Sequence, residues 1–243
     1  MPIVAILSAV ACCSAAVQTI TGFGNMIVAL ALGAHFFEVT ELVNVFVPLG
    51  LAQTSYVLFA DRKFIPWKKL FAQVIPVMGV GTAAGFWLQT RISPDGLRTF
   101  LGCLVVALSL KELYLWYRDS EAETERKAHI VTLGFALFGA GIMHGMMGTG
   151  GPLLVYAMSR LNVGKRAFRG GLCAVFWLLN IGLVTTFFQV GRLEMSDLNL
   201  IGSMVPALLL GIAIGEYVHR TMDKRRFQLV IFTMLLIAGI TLL

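Results

Sequence analysis

The stretch MMGTGGPLLVYAM, residues 146–158, places three glycines and a proline inside an apolar run that covers residues 130–159. Glycine and proline both disfavour the interior of a helix, so this run is predicted to break near Gly148 and to start again near Pro152. A second stretch, TITGFGNMIVALAL at residues 19–32, has the same character. The sequence therefore predicts two discontinuous helices.

The composition is that of an integral membrane protein. Hydrophobic residues make up 58% of the 243-residue chain and charged residues only 13%, with a mean hydropathy of +0.82. A soluble domain carries about 25% charged residues. The 19 basic residues fall in short connections between apolar runs, so the net charge of +6 indicates membrane topology rather than a nucleic-acid partner. We expect a multi-pass protein of the cell (inner) membrane, in contact with the lipid bilayer.

The chain repeats itself. Residues 21–26, TGFGNM, align with residues 147–152, MGTGGP, and residues 75–87 align with residues 205–217. Each half has one long broken run followed by three ordinary ones. The predicted fold is an all-α polytopic membrane protein with two four-segment repeats. We divide it into a first repeat (1–110), a charged cytoplasmic linker (111–129) and a second repeat (130–243). The apolar runs are 3–32, 42–60, 70–90, 97–117, 130–159, 170–190, 199–219 and 227–243.

The distribution of Lys and Arg favours inverted repeats. If each long run crosses the membrane once, the two sides carry nine and ten basic residues. If each enters and returns on the same side, the split becomes 16 against 3, with the larger number in 61–69, 111–129, 160–169 and 220–226. The positive-inside rule prefers the second arrangement. Whether the first and fifth runs are re-entrant hairpins or single broken crossings stays open at this point.

Each break is predicted to expose the N-terminus of a return helix inside the membrane. Free N–H groups and the positive end of the helix dipole suit an anion. Asn25 suits an N-cap, and Pro152 suits the first helical position. For Gly81, Gly85, Gly211 and Gly215 we expect close helix packing instead. The candidate binding residues at the breaks are Thr21, Gly22, Phe23, Gly24 and Asn25, and Gly148, Thr149, Gly150, Gly151 and Pro152.

Five further polar residues are candidates for the same site. Arg169 is the most deeply placed basic residue near the second break, and its guanidinium suits an oxyanion; a snorkelling role is the alternative. His144 lies one helical turn before Gly148, and Gln18 holds the equivalent place in the first half. A histidine at membrane depth suits a proton or an oxyanion, so protons are a candidate coupling ion. Gln53 and Asn180 are neutral donors for which hydrogen bonding between helices is the preferred interpretation.

Other functional classes have little support in the sequence. Apart from Glu112, where the fourth run overlaps the charged linker, Glu216 is the only acidic residue inside an apolar run, so no intramembrane carboxylate pair is expected. We find no zinc motif, nucleophile–base pair or phosphate loop, and therefore predict no enzyme activity, metal or cofactor. The four cysteines are read as packing residues. A passive anion channel is harder to separate from a transporter, because it could use the same N–H groups.

The two breaks also carry a family resemblance. QTITGFGNMIVAL at residues 18–30, GMMGTGGPLLVYAM at residues 145–158 and KRAFRGGL at residues 165–172 resemble the sulfite exporter TauE/SafE family of membrane transporters. The resemblance implies transport of sulfite, organosulfonates or related small anions, mostly outward, and it matches Arg169 to a family arginine. A passive anion channel or an uptake permease for small organic anions is the alternative. The anion, the coupling ion, the direction and the oligomeric state are not specified by the sequence.

Overall fold

The computed structural model describes residues 2–33, 36–89, 91, 130–160, 163–195 and 197–241, with scattered positions between 99 and 117. Its regular elements are all helices, and these residues contain no strand. The fourth apolar run and the charged linker lie mostly outside the described residues. The helices are α1 (Pro2–Thr21), α2 (Asn25–Gly33), α3 (Val39–Asp61), α4 (Trp67–Leu88), α5 (Ile130–Met147), α6 (Gly151–Ser159), α7 (Lys165–Gln189), α8 (Asp197–Ser203), α9 (Val205–Thr221) and α10 (Lys224–Thr241).

Several of these helices are suited to cross a membrane. By length and composition α1, α3, α4 and α7 are long and apolar enough to do so, and α8 with α9 forms a fifth candidate that is bent by 43°. The prediction of an all-helical membrane protein is confirmed at this level. Both long apolar runs are divided as expected, into α1 with α2 and α5 with α6.

Prolines mark two further irregularities. A π-helical turn, Leu70–Val74, lies inside α4 just before Pro76. The bend between α8 and α9 lies just before Pro206. Proline has no N–H and cannot complete the regular helical hydrogen bonding. The two prolines that the sequence repeat pairs therefore follow irregularities in equivalent helices.

The most extensive helix contacts join the two halves. Helix α1 packs along α9, α4 packs along α5, and α3 packs along α7. A Cβ built on Gly85 would overlap the carbonyl oxygen of Ile142 in α5, and one on Gly215 would lie 2.6 Å from the carbonyl oxygen of Ala16 in α1. Only glycine permits backbones to approach this closely. The predicted packing role is confirmed for Gly81, Gly85, Gly211 and Gly215.

Three connections lie together at one end of the bundle, which we call the basic end. Asp61, the last residue of α3, contacts Arg169 near the start of α7, and Arg169 contacts Glu216 near the end of α9. The chain after Asp61 also lies against α7, since a Cβ on Gly170 would be 3.0 Å from Ile65. The basic end therefore contains the connections 61–69, 160–169 and 220–226.

The opposite end is held by weaker polar contacts. Asn44 Nδ2 donates to the carbonyl oxygen of Arg192 at 3.0 Å, and Arg192 Nη1 donates to Gln89 Oε1 at 3.0 Å. A cavity of about 410 Å³ opens there, with Glu41, Asn44, Arg192 and Asp197 in its wall. Because two carboxylates accompany one guanidinium, the sign of charge alone does not assign this cavity to an anion.

Candidate functional site

The first break is a tight turn closed by a threonine. Gly22 and Gly24 have φ values of 90° and 97°, a region that glycine alone enters readily. Thr21 Oγ1 lies 2.9 Å from the carbonyl oxygen of Val17 and 2.8 Å from that of Phe23, and it accepts the N–H of Phe23 at 3.3 Å. Thr21 is therefore engaged in forming the turn.

The second break uses similar backbone geometry with different side chains. Gly148 has a φ of 68°, and its N–H donates to the carbonyl oxygen of His144 at 2.8 Å. Gly150 is the N-cap of α6. A Cβ there would overlap the carbonyl oxygen of Ala140. Glycine is thus required at this break both for its turn and for close packing on α5.

Two details of the predicted caps are corrected. Gly24, not Asn25, is the N-cap of α2, because the N–H of Val28 donates to the carbonyl oxygen of Gly24 at 2.9 Å. The amide of Asn25 instead donates to the carbonyl oxygen of Phe46 at 3.2 Å. Pro152 is the second residue of α6 rather than the first, a position where its missing N–H still removes no intrahelical bond.

The two breaks contact each other. A Cβ built on Gly151 would lie 2.9 Å from Phe23 Cδ2, and one on Gly148 would lie 3.4 Å from Met26 Cγ. The N-terminal turns of α2 and α6 are therefore brought to the same place in the bundle. Their first N–H groups have no intrahelical acceptors, so both turns present donors there.

A small cavity lies between the breaks. Its volume is about 30 Å³, which is enough for about one water molecule. A ligand larger than a water would require this cavity to widen. The cavity is lined by Gln18, Phe23, Gly24, Asn25, Met26, Ile27, Phe46, Val47, Gly50, His144, Gly148, Thr149, Gly151, Phe176 and Asn180.

Polar side-chain atoms in this wall lack partners. Within the described part of the chain, no hydrogen bond is made by Gln18 Oε1, Asn25 Oδ1, Thr149 Oγ1 or either ring nitrogen of His144. All four side chains are buried, and buried polar groups normally have a partner. Donors and acceptors without partners therefore surround this space, and a polar ligand placed there could form hydrogen bonds with them.

Nine of the fifteen residues predicted from the sequence line this cavity, and six do not. Those that line it are Gln18, Phe23, Gly24, Asn25, His144, Gly148, Thr149, Gly151 and Asn180, while Thr21, Gly22, Gly150, Pro152, Gln53 and Arg169 lie outside its wall. Gln53 Nε2 donates to the carbonyl oxygen of Ala15 at 2.5 Å and to Thr19 Oγ1 at 2.9 Å. This confirms the preferred interpretation of Gln53 as a link between helices. A binding role for the nine residues stays a prediction.

Arg169 is placed differently from the sequence prediction. Its side chain is 1% exposed, with Nε and Nη2 at 2.7 and 2.6 Å from Asp61 Oδ2. Nη1 lies 2.8 Å from Glu216 Oε2 and donates to the carbonyl oxygen of Thr19 at 3.1 Å. The guanidinium is thus occupied by two carboxylates, neither a snorkelling group nor a wall of the cavity. We call Asp61, Arg169 and Glu216 the ion triad.

The ion triad brings together two carboxylates that lie far apart in the sequence. Asp61 directly follows the second apolar run and is 3% exposed. It shares Arg169 with the partly buried Glu216, which also pairs with Arg220 at 2.8 Å. A buried guanidinium needs such neutralisation. Sequence position alone does not reveal the burial of a residue at a helix end.

Several cavity residues were missed from the sequence. Phe46, Val47 and Gly50 belong to α3, and Phe176 belongs to α7. They are apolar residues in apolar helices, so no local pattern separates them from residues that face lipid. The hydrogen bond from Asn25 to the carbonyl of Phe46 joins this part of α3 to the first break.

Comparison with known proteins gives one match. The model of the family described as sulfite exporter TauE/SafE matches residues 7–242, which is nearly the whole chain. No curated protein and no solved structure matches. The match includes both breaks and all the residues that line the cavity.

Proposed function

The chain belongs to the sulfite exporter TauE/SafE family and is a membrane transporter, and we propose that it exports small sulfur-containing oxyanions, such as sulfite or organosulfonates, by alternating access around the two glycine breaks. The observation that carries this proposal is the meeting of two helix N-termini at a small polar cavity. Discontinuous helices aimed at an anionic group are a recurrent design in transporters.

The chemistry of the cavity favours a small oxyanion. The N-terminal turns of α2 and α6 offer N–H groups that are directed along the helix axes. Gln18, Asn25, Thr149 and Asn180 add neutral polar groups to the wall, and each carries at least one donor. An oxyanion with several equivalent oxygens can accept from many of these donors at once. Apolar residues such as Phe23 and Phe176 complete the wall and limit the size of the ligand.

The inverted arrangement of the two halves is part of the proposal. Parallel repeats would put the connection 61–69 on the side opposite 160–169 and 220–226. The ion triad joins all three of these connections at the basic end. Together with the linker 111–129, they hold 16 of the 19 Lys and Arg residues, so we assign the basic end to the cytoplasm. The breaks then lie in re-entrant hairpins.

The small size of the cavity favours a transporter over a channel. A conducting pore needs a continuous path for ions, whereas a space of about 30 Å³ holds about one water. Alternating access opens such a site to one side at a time. The two mechanisms differ in flux, because a transporter saturates and shows counterflow. Purified protein in liposomes should therefore exchange labelled sulfite for unlabelled sulfite across the membrane.

A ligand screen tests the proposed substrate class. Sulfite, sulfate, thiosulfate, sulfoacetate, taurine and simple carboxylates are each added to the purified protein, and its melting temperature is measured. A true ligand at about 100 times its Kd stabilises the folded state by about 2.7 kcal/mol. We expect sulfur oxyanions to raise the melting temperature more than carboxylates do. Stabilisation by none of the sulfur compounds would exclude the proposed class.

Cysteine labelling tests the topology. Single cysteines at positions 63, 120, 163 and 223, in a variant without the four native cysteines, should react with an impermeant reagent from the cytoplasmic side only; position 63 is used because its neighbour Ile65 is buried. Cysteines at positions 36, 94 and 195 should react from outside. The expected pattern follows from the distribution of Lys and Arg. If positions 163 and 195 exchange sides, the inverted arrangement is wrong.

A further inference from the structure

The cavity poses a problem of charge balance. None of the described residues in its wall is Lys, Arg, Asp or Glu. Each helix N-terminus contributes only about half a positive charge, and an unpaired ion inside a protein is very costly. A buried oxyanion at this site therefore gains much from one full positive charge nearby.

Arg169 does not supply that charge in this structure. The ion triad already contains two carboxylates for one guanidinium. Taking Arg169 to the cavity would leave Asp61 buried and unpaired, which costs several kcal/mol, while Glu216 would keep Arg220 as its partner. The side chain is also held by the carbonyl oxygen of Thr19. The compensating charge has to come from another group.

His144 is the one titratable side chain in the described wall of the cavity. It is 1% exposed, and neither ring nitrogen makes a hydrogen bond of good geometry with the described residues. One ring face packs near Phe176, with ring centroids 5.4 Å apart, and the side chain of Asn180 and the backbone of Gly148 are close enough to interact with the ring. An imidazole held this loosely can accept a proton and can donate N–H groups to an anion.

Other titratable groups on the surrounding helices lie outside the wall. None of these groups lines the cavity: Cys12 and Cys13 on α1, Glu41, Tyr56 and Asp61 on α3, Tyr156 on α6, and Lys165, Arg166, Arg169 and Cys173 on α7. The Ile75–Leu88 part of α4 has no titratable residue. His144 can therefore change the charge of the site without competition from a neighbour in the wall.

We propose that His144 takes up one proton when a small oxyanion enters the cavity, so that anion and proton bind together. This inference rests on the proposed function. The proton comes from the acid form of the buffer in the surrounding solution, which becomes its conjugate base, and adds to the unprotonated ring nitrogen of the neutral imidazole, while the anion keeps its charge. The imidazolium and a monovalent anion then form a neutral pair. By linkage, the proton strengthens anion binding as much as the anion strengthens proton binding.

Calorimetry with fixed-charge anions tests this proposal. Methanesulfonate, sulfoacetate and sulfate keep their charge throughout the range in which histidine titrates, so any proton taken up must go to the protein. Binding heats in two buffers of different ionisation enthalpy give the number of protons. We expect about one proton to be taken up per anion. In the pH range where one full proton is taken up, the affinity for the anion should fall about tenfold for each unit by which the pH rises.

Two variants make the test specific. His144→Gln places at this position the residue that Gln18 provides in the first half; it should bind the anion more weakly than the wild type does, and without proton uptake or pH dependence. His219→Gln changes a buried histidine outside the cavity wall, and it should keep the pH dependence of the wild type. If His144→Gln does not fold, the number of protons that the wild-type protein takes up with each anion still tests the inference, because a value of zero would overturn it.

The outcomes separate this inference from the proposed function. Anion binding by the wild type with no proton uptake overturns the role of His144 and leaves the transporter proposal intact. Proton uptake that persists in His144→Gln also overturns it. If the wild type binds none of the three anions, the proposed substrate class fails, and the inference fails with it.

Discussion

Replacing Gly24 with valine is expected to abolish oxyanion binding. Gly24 has a φ of 97°, which a β-branched residue adopts only with strain of about 1–3 kcal/mol. The Cβ of the new side chain would also lie 3.2 Å from Val17 Cγ1, and Gly24 is a residue that lines the cavity. Because Gly24 caps α2, relief of this strain turns the first N–H groups of α2 away from the cavity. Each lost hydrogen bond to an anion costs about 1.5–3 kcal/mol, so calorimetry should detect no binding.

Matched glycine variants control for general damage. Gly134→Val introduces the same side chain in α5, where nothing lies within 4 Å of the new Cβ, and should bind normally. Gly85→Val would overlap the backbone of Ile142 and should lower the yield of folded protein more than its affinity. Equal loss of affinity in well-folded Gly24→Val and Gly85→Val would argue against a special role for the breaks.

Gly150→Val is expected to lose anion binding as well, but through two effects that cannot be separated. Its Cβ would overlap the carbonyl oxygen of Ala140 and lie 3.0 Å from His144 Cβ. The substitution therefore disturbs both the N-terminus of α6 and the packing of α5. Gly24→Val is the cleaner test of the N-terminal donors, because its close contact is to a side chain.

Arg169→Gln is expected to destabilise the fold by about 3–5 kcal/mol, the usual result of removing one partner from a buried ion pair. Asp61 would then be left buried without a counter-charge, whereas the partly buried Glu216 would keep its pairing with Arg220 at 2.8 Å. The carbonyl oxygen of Thr19 would also lose its donor at the end of α1. Arg169→Lys keeps the charge but not the planar fork that joins the two carboxylates, so it should lose part of the stability. Chemical denaturation in detergent measures both changes.

Neutralising the whole ion triad distinguishes charge balance from simple loss of contacts. Asp61→Asn and Glu216→Gln, added to Arg169→Gln, remove the unpaired charge of Asp61 and the carboxylate of Glu216 that was paired with Arg169, so the triple variant should be more stable than Arg169→Gln alone. Arg166→Gln is the matched control on the same helix, because Arg166 is exposed and only stacks over Phe64 at 5.2 Å. Normal stability of Arg169→Gln, with weakened anion binding, would instead place Arg169 in the site as the sequence predicted.

The positions of the breaks were readable from local sequence. Gly22, Gly24 and Gly148 occupy backbone conformations with positive φ. Glycine adopts these conformations because it has no Cβ, so the residue type alone indicates where they can occur. The repeat then placed His144 opposite Gln18 in the two halves, and both line the cavity. The small residues at positions 85 and 215 likewise indicated close packing before the partner helices were known.

The family and the membrane class were equally accessible from the sequence. The apolar composition required a lipid environment, and the motifs at residues 18–30 and 145–158 carried the resemblance that the family match confirms. Both are properties of the chain read along its length. They depend on no knowledge of which helices are neighbours.

Only the tertiary structure shows which groups the charged side chains pair with and how large the cavity is. The guanidinium of Arg169 meets Asp61, 108 residues earlier, and Glu216, 47 residues later, and sequence spacing does not predict such pairs. Phe46 and Val47 line the cavity because this part of α3 packs against both breaks: Asn25 donates to the carbonyl oxygen of Phe46, and Val47 Cγ2 lies 3.3 Å from a Cβ built on Gly148. Backbone breaks are encoded where they occur, because φ is a property of one residue. The partner of a buried charge depends on the packing of whole helices, and that arrangement left His144 rather than Arg169 facing the cavity.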